Sequence, residues 1–360
     1  MLSLFTKYGS GDSNIENSRK KSVQFWFCYF GISITLAFVA LEAGVRLFHI
    51  APVIDSQYSK FIADKKISYK PRPNSIVVGK SASGEFDFDY RHNSLGFRDE
   101  EHALEKPKGV YRILGLGDSF TYGAGATYEE SWLYQLERKL NTRDGAHPKV
   151  EIIKGGIAAS WPEPERKLLE IYGVQYRPDL VIVGFLPNDV IDTALSQKAL
   201  TVTDDGYLVA GSAGLSKLNA WLYLHSHLWR LARYAHFRLG VSIHWPDIYK
   251  DRGYHENSWQ QIEAEYLKML EICHAIIARL VIIHIPQKPP WDESKSYTGL
   301  RLSEWAKKND VVFIDTLPAF QKAPSHPPLY WAKDGHCTPA GYRVIADTVY
   351  ETLTKDNIVK

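Results

Sequence analysis

The sequence predicts an α/β protein: a three-layer α/β/α sandwich around a five-stranded parallel sheet, preceded by one transmembrane helix. Two observations lead to this fold class. From residue 110 onwards, short apolar runs rich in β-branched residues alternate with longer amphipathic segments, the pattern typical of a parallel α/β sheet. Ahead of them lies one uncharged apolar segment of about 20 residues, the length that crosses a bilayer.

The apolar segment at 23–41 carries no formal charge, and three cations at 19–21 precede it. By the positive-inside rule, residues 1–22 form a cytoplasmic tail, residues 23–48 form the transmembrane anchor, and the rest of the chain lies outside the cytoplasm. A cleaved signal peptide and a buried core helix are the alternatives. The polar leader is long for a signal peptide. We therefore predict an uncleaved, single-pass anchor.

Residues 49–108 are predicted to form an irregular lead-in between the anchor and the sheet. The segment is polar and contains two prolines close together, at 71 and 73. Only the alternating stretch "EFDFDY" at 85–90 indicates a strand, and that strand is short.

Residues 109–360 hold the predicted sheet. Runs such as "DLVIVGFL" are almost continuously apolar, as expected of strands buried on both faces. An insertion at about 190–257 interrupts the alternation and contains one probable helix at 215–240. The five predicted strands are 110–117, 149–156, 179–186, 280–286 and 311–316, and the helices that alternate with them are 129–141, 162–174, 258–278, 299–309 and 338–355.

The composition excludes several classes of protein. A net charge of +2 over 360 residues gives no reason to expect nucleic acid as a partner. The three cysteines, Cys28, Cys273 and Cys337, fit neither a disulfide framework nor a zinc site. We expect the last two to be free thiols, although a bridge between them is the alternative. No metal and no cofactor are expected.

Polar residues follow three of the predicted strands and precede the last helix. Ser119 follows the first strand, Gly156 the second and Asn188 the third, and Asp334 and His336 stand before the C-terminal helix. Active sites of open parallel sheets gather at the carboxyl ends of the strands. Each residue alone is compatible with an ordinary turn or helix cap. Together they offer a nucleophile, hydrogen-bond donors, and a base with its carboxylate.

Four sequence blocks carry a resemblance to a known family. "GDSFTYG", "KGGIAASW", "PDLVIVGFLPND" and "DGHCTPAGY" appear in this order between residues 115 and 342. They resemble the nucleophile, glycine, asparagine and histidine blocks of the SGNH (GDSL-type) serine hydrolases. "HNSLGFRDEE" resembles the lead-in of a bacterial, membrane-anchored subgroup. The resemblance implies the flavodoxin-like SGNH hydrolase fold.

The resemblance also implies a role for each residue. Ser119 would be the nucleophile, His336 the base, and Asp334 the carboxylate that orients the base. The oxyanion hole would consist of the backbone N–H groups of Ser119 and Gly156 and the side-chain amide of Asn188. A serine hydroxyl becomes nucleophilic when a nearby imidazole takes its proton, and a carboxylate fixes the tautomer of that imidazole.

The chain departs from the family pattern in two blocks. Lys154 stands where relatives often have an asparagine, and "IAAS" replaces a second glycine of the same block. Asp334 and His336 are separated by one residue, whereas many relatives separate them by two. The role of Gly156 is assigned from the first of these two blocks and that of Asp334 from the second, so both assignments rest on blocks that differ from the family pattern.

The resemblance implies a serine esterase that cleaves acyl esters through an acyl-enzyme. The extracytoplasmic setting and the aromatic-rich insertion favour acetyl esters. Together with the anchor, the resemblance predicts a location in a bacterial inner membrane with the catalytic domain in the periplasm. Acylated small molecules or extracytoplasmic glycans are the expected substrates. One alternative is an O-acetyltransferase of polysaccharides that uses the same triad beside a membrane-bound O-acyltransferase. Another is a catalytically silent glycan-binding or assembly protein.

Overall fold

A computed structural model gives the structure of the chain. The structure describes residues 11–48, 60–81, 83–145, 147–195, 200–202, 206, 208–210, 218, 221–222, 225–238, 252–291 and 293–359. Residues 1–10 of the predicted tail and residues 49–59 of the predicted lead-in lie outside this set.

Helix α1 (Gly11–Leu47) contains the predicted anchor. Its part from Val23 to Leu47 is long and apolar enough to cross a membrane, with a mean hydropathy of 1.7 over its most apolar window. Its large apolar side chains from Val23 to Leu41 are more than half exposed, so they pack against no core. A signal sequence near an N-terminus shares these properties of length and composition.

The lead-in is more regular than the sequence indicated. It forms two antiparallel hairpins: β1 (Phe61–Asp64) with β2 (Ser68–Pro71), and β3 (Ile76–Lys80) with β4 (Asp87–Arg91). The expected strand in "EFDFDY" is β4, which buries Phe88 and Tyr90 on one face. The prediction missed the other three strands because they are only four or five residues long and at least half of the residues in each are exposed or partly exposed.

The main sheet contains the five predicted strands, all parallel: β5 (Val110–Gly117), β6 (Lys149–Lys154), β7 (Leu180–Phe185), β10 (Arg279–His284) and β11 (Val312–Asp315). Between β7 and β10 the chain adds an antiparallel hairpin of β8 (Leu200–Val202) and β9 (Leu208–Ala210). The order across the sheet is β6-β5-β7-β10-β11. This is the flavodoxin-like order of a doubly wound sheet, whose ligands bind at the carboxyl ends of the strands.

Helices cover both faces of the main sheet. Leu168, Trp259 and Trp305 pack on one face, whereas Trp132 and Val349 pack on the other. Both layers bury aromatic and branched side chains against strands that are themselves buried. After α1, the helices are α2 (Ser119–Tyr122), α3 (Trp132–Thr142), α4 (Pro162–Ile171), α5 (Asp189–Leu195), α6 (His227–Arg238), α7 (Arg252–Ala275), α8 (Glu293–Lys308), α9 (Leu317–Lys322) and α10 (Pro339–Lys355).

Helix α6 belongs to the predicted insertion and shares a compact unit with α1, while the sheets and most other helices form a second unit. The carboxylate of Glu42 accepts the backbone N–H groups of His227 at 2.7 Å and Leu228 at 2.8 Å, and the hydroxyl of Ser226 at 2.9 Å. A side chain of α1 therefore caps the first turn of α6. The predicted helix at 215–240 is interrupted at Ser226, and its residues 215–217, 219–220, 223–224 and 239–240 lie outside the described set.

Cys273 and Cys337 are both buried free thiols, as expected.

Candidate active site

Ser119 stands at the carboxyl end of β5, as the first residue of the single-turn helix α2. The carboxylate of Asp118 caps this turn by accepting the N–H of Phe120 at 2.9 Å, and Gly123 ends it in the left-handed region at φ +84°. Gly117 permits the sharp turn from strand to helix, because a Cβ there would lie 2.2 Å from the hydroxyl oxygen of Thr121. The serine is thus held on a short, rigid turn at the edge of the sheet where ligands bind.

His336 joins Ser119 and Asp334 in one chain of hydrogen bonds. Its Nε2 lies 2.8 Å from the Ser119 Oγ, and its Nδ1 lies 2.5 Å from the Asp334 Oδ1. When the proton is on Nδ1, the ring donates to Asp334, and Nε2 can accept the proton of the serine hydroxyl. This is the geometry that a serine–histidine–carboxylate triad requires.

A tight loop before α10 carries both Asp334 and His336. The N–H of Trp331 donates to the carbonyl of His336 at 2.9 Å, and Gly335 adopts φ +91° between Asp334 and His336. The Phe120 ring, next to the serine, lies 5.1 Å from the imidazole. A single intervening residue between Asp334 and His336 therefore suffices to bring the carboxylate onto Nδ1.

Gly156 lies in the loop after β6, against the turn that begins with Ser119. The amides on either side of it hold the loop to β5, since Gly155 donates to Gly115 at 2.8 Å and Ile157 donates to Gly117 at 2.9 Å. A Cβ on Gly156 would lie 2.4 Å from the backbone nitrogen of Tyr122. The close approach of two backbones therefore demands glycine here. Its role as an oxyanion donor remains a prediction.

Asn188 follows β7 and caps α5, since its carbonyl accepts the N–H groups of Ile191 and Asp192 at 2.8 Å each. Its side-chain Nδ2 donates to Asp192 Oδ2 at 3.0 Å and lies 3.4 Å from Asp118 Oδ2. The amide that the sequence predicts as an oxyanion donor therefore stands beside the residue that precedes Ser119. Two carboxyl groups occupy its N–H groups in this structure.

Buried carboxyl groups surround this amide. Burial raises the pKa of Asp192 to about 7. Burial also raises the pKa values of Asp118, Glu165 and Asp189, and charge repulsion among the three adds to this effect for Glu165 and Asp189. Hydrogen bonds partly offset the cost of burying them: Glu165 accepts from the Ser160 hydroxyl at 3.1 Å. A raised pKa means that burial disfavours the charged form of each acid, and so opposes negative charge where an oxyanion would form.

Lys154, which replaces an asparagine of the family pattern, makes a buried ion-pair network. Its Nζ donates to Glu137 at 2.7 Å and to Asp99 at 3.2 Å. The charges of these two partners raise its pKa against the opposing effect of burial. The departure therefore has a structural reason: Lys154 links β6 to α3 and to the lead-in.

The structure thus brings Ser119, Asp334 and His336 into direct contact and places Asn188 and Gly156 around the same turn. Sequence reasoning missed Asp192, which holds the Asn188 amide. Its signal was available, because residues four apart on a helix face each other.

A family model matches the part of the chain that holds most of the four sequence blocks. The model of the GDSL-like lipase/acylhydrolase family matches residues 116–344. Similar solved structures include a member of the lipolytic protein G-D-S-L family from Veillonella parvula, at 13% identity, 68% of this chain, 98% of that chain and a TM-score of 0.41. A GDSL-like lipase from Bacteroides thetaiotaomicron is 13% identical, and the match covers 71% of this chain and 93% of that chain with a TM-score of 0.40. A catalytic mutant of an acetylxylan esterase from Geobacillus stearothermophilus is 13% identical, and the match covers 66% of this chain and 92% of that chain with a TM-score of 0.41. No curated protein matches.

Proposed function

The chain belongs to the GDSL-like lipase/acylhydrolase family, and on that premise we propose that it is a serine esterase with Ser119 as its nucleophile. The observation that carries the proposal is the contact of 2.8 Å between His336 Nε2 and Ser119 Oγ, with Asp334 at 2.5 Å on the other ring nitrogen. Such a chain of three side chains is the arrangement that activates a serine nucleophile.

The first half of the reaction forms an acyl-enzyme. His336 takes the hydroxyl proton of Ser119 while the serine oxygen bonds to the carbonyl carbon of the ester. The carbonyl oxygen becomes an oxyanion, which accepts hydrogen bonds from the backbone N–H groups of Ser119 and Gly156 and from the Asn188 amide. The tetrahedral intermediate then collapses, and His336 gives its proton to the departing alcohol.

The second half returns the free enzyme. A water molecule gives one proton to His336, and its oxygen bonds to the acyl carbon. The serine oxygen leaves and regains the proton from the imidazole, so that a carboxylic acid is released. Asp334 keeps its negative charge throughout. It holds the ring in the correct tautomer and stabilises the imidazolium that forms in each half.

Acetyl esters on extracytoplasmic glycans are the substrates that we propose. The apolar length of α1 supports a membrane anchor, and the cations at 19–21 support an orientation with the catalytic domain outside the cytoplasm. The location that we propose is therefore the periplasmic face of a bacterial inner membrane. The same acyl-enzyme serves acetyl transfer when a sugar hydroxyl, rather than water, is the acceptor.

The esterase proposal is tested with the purified full-length protein in detergent. We expect acetate release from p-nitrophenyl acetate and covalent labelling of Ser119 by an organophosphonate. Ser119→Ala should lose both the acetate release and the labelling, because only binding and the oxyanion hole then remain to act on the substrate. Its unfolding temperature should stay unchanged. A Ser119→Ala variant with the turnover of the wild type contradicts the mechanism.

The substrate class is tested separately. We expect O-acetylated oligosaccharides to release acetate, and p-nitrophenyl esters with longer acyl chains to react more slowly. Adding an unacetylated oligosaccharide distinguishes hydrolysis from transfer, because transfer yields an acetylated sugar in place of acetate. A wild-type protein that neither turns over nor labels would identify a silent binding protein.

A further inference from the structure

The loop that carries the catalytic pair is held by Glu85, a residue of the lead-in that the chemistry above does not use. The Glu85 carboxylate accepts the N–H of Lys333 at 2.9 Å and that of Asp334 at 2.8 Å. Hydrogen bonds to an ionised carboxylate are shorter and stronger than those to a neutral acceptor. The contact fixes the backbone of the residue whose side chain bonds His336.

Glu85 is itself firmly placed. It lies in the turn between β3 and β4, where its own N–H group donates to the hydroxyl of Ser81 at 3.1 Å and lies 3.3 Å from that of Ser83. Both serines are fully buried. The next residue, Phe86, packs its ring 5.2 Å from that of Trp331, at the start of the catalytic loop. The turn can therefore act as a rigid support.

The same segment of the lead-in also holds the loop that follows Ser119. The Tyr90 hydroxyl accepts the N–H of Gly125 at 2.9 Å. The buried Arg98 guanidinium donates to the carbonyls of Tyr122 at 3.1 Å and Gly123 at 2.7 Å. Both halves of the triad are thus attached to residues 85–98, so this segment helps to set their separation.

We propose that Glu85 is a positioning residue for the Asp334–His336 pair. The inference rests on the proposed function. Among the residues that the structure describes, the Glu85 carboxylate bonds backbone N–H groups of the loop alone, so its loss should affect the transition state more than substrate binding. A misplacement of about 1 Å in a catalytic group lowers the rate by up to about 100-fold.

The experiment compares Glu85→Ala and Glu85→Gln with a matched control, Asp87→Ala. Asp87 lies on the same hairpin, but its exposed carboxylate pairs with Lys80, at 3.0 Å, and with no other residue of the described part of the chain. With p-nitrophenyl acetate and the full-length chain, we expect Glu85→Ala to lower kcat by about 10- to 100-fold with little change in KM. Glu85→Gln keeps one acceptor oxygen and should recover most of the rate. Asp87→Ala should match the wild type.

A second measurement is independent of turnover. The Nδ1 proton of His336 should give a downfield NMR signal in the wild type, and the signal should shift or broaden in Glu85→Ala but persist in Glu85→Gln. An active wild type with kcat and signal unchanged in Glu85→Ala overturns the inference. Equal losses in Glu85→Ala and Asp87→Ala also overturn it, because they indicate a general effect on the hairpin. An inactive wild type whose signal still depends on Glu85 refutes the proposed function and leaves the positioning contact intact.

Discussion

The side-chain amide of Asn188 donates to the carboxyl group of Asp192 at 3.0 Å, one turn further along the chain. The amide oxygen Oδ1 is buried and, within the part of the chain that the structure describes, accepts no hydrogen bond. An incoming oxyanion must therefore compete with carboxyl groups for the N–H donors of Asn188. The hydrogen bond to Asp192 restricts the Asn188 side chain before a substrate binds. A hydrogen-bond donor that is already held in place loses little conformational freedom in the transition state.

Asn188→Ala should lower kcat by about 100- to 1,000-fold and change KM much less, because the donor acts mainly on the oxyanion of the transition state. Steady-state kinetics with p-nitrophenyl acetate measure both constants. An effect on KM alone would make Asn188 a contact to the ground-state substrate instead.

Asp192→Asn should make the stability of the protein less sensitive to pH. Burial raises the pKa of Asp192 from 3.8 to about 7, so between these values the folded state binds more protons than the unfolded state. The free energy of unfolding then falls as pH rises, by up to about 4 kcal/mol for this group. Unfolding temperatures are measured in detergent from pH 4 to 8. We expect the unfolding temperature to fall more steeply with pH in the wild type than in the variant. Parallel curves would mean that Asp192 ionises normally.

Gly156→Ala should be strongly destabilising, because the added Cβ would lie 2.4 Å from the Tyr122 nitrogen and 2.5 Å from the Thr121 carbonyl carbon. Both are backbone atoms and cannot move without displacing the turn that carries Ser119. We expect a lower unfolding temperature together with a loss of kcat. Gly44→Ala is the control, since no atom lies within 4 Å of its added Cβ. Equal behaviour of the two variants would contradict the close approach.

The full-length protein should fractionate with membranes and resist extraction by carbonate, because the span from Val23 to Leu47 is long and apolar. Alkaline phosphatase fused after Lys360 should be active in a bacterial host, since that reporter matures only outside the cytoplasm. An inactive fusion made in good yield would place the catalytic domain inside the cell and remove the periplasmic glycan from the proposal.

The sequence predicted the main sheet well because its strands are buried on both faces and therefore read as unbroken apolar runs. All six residues of β7 are buried, for example. That Ser119, Asp334 and His336 lie together could be predicted because each follows a strand or precedes a helix within a recognisable block. Their separation in the chain, 217 residues between Ser119 and His336, is closed by the topology of the parallel sheet.

The contacts of the lead-in were not predictable in the same way. Glu85 bonds backbone groups almost 250 residues away. Nearly every residue type has a backbone N–H group, so the sequence does not indicate which residue will donate it. The short strands β1 to β3 lack a long apolar run, so their pairing depends on tertiary contacts. Lys154 is a further example, since its partner Asp99 lies 55 residues earlier.

The cap that Glu42 provides for α6 makes the fate of the N-terminus a matter of folding as well as of location. A peptidase cut after Ala43 would discard Glu42, and a cut after Ala40 would leave it two residues from a new, fraying end. Either product would lose the helical support of the cap, and a lost cap destabilises a helix by about 0.5–2 kcal/mol. Processing at this point would therefore release a mature chain in which the first turn of α6 exchanges its amide protons faster with water.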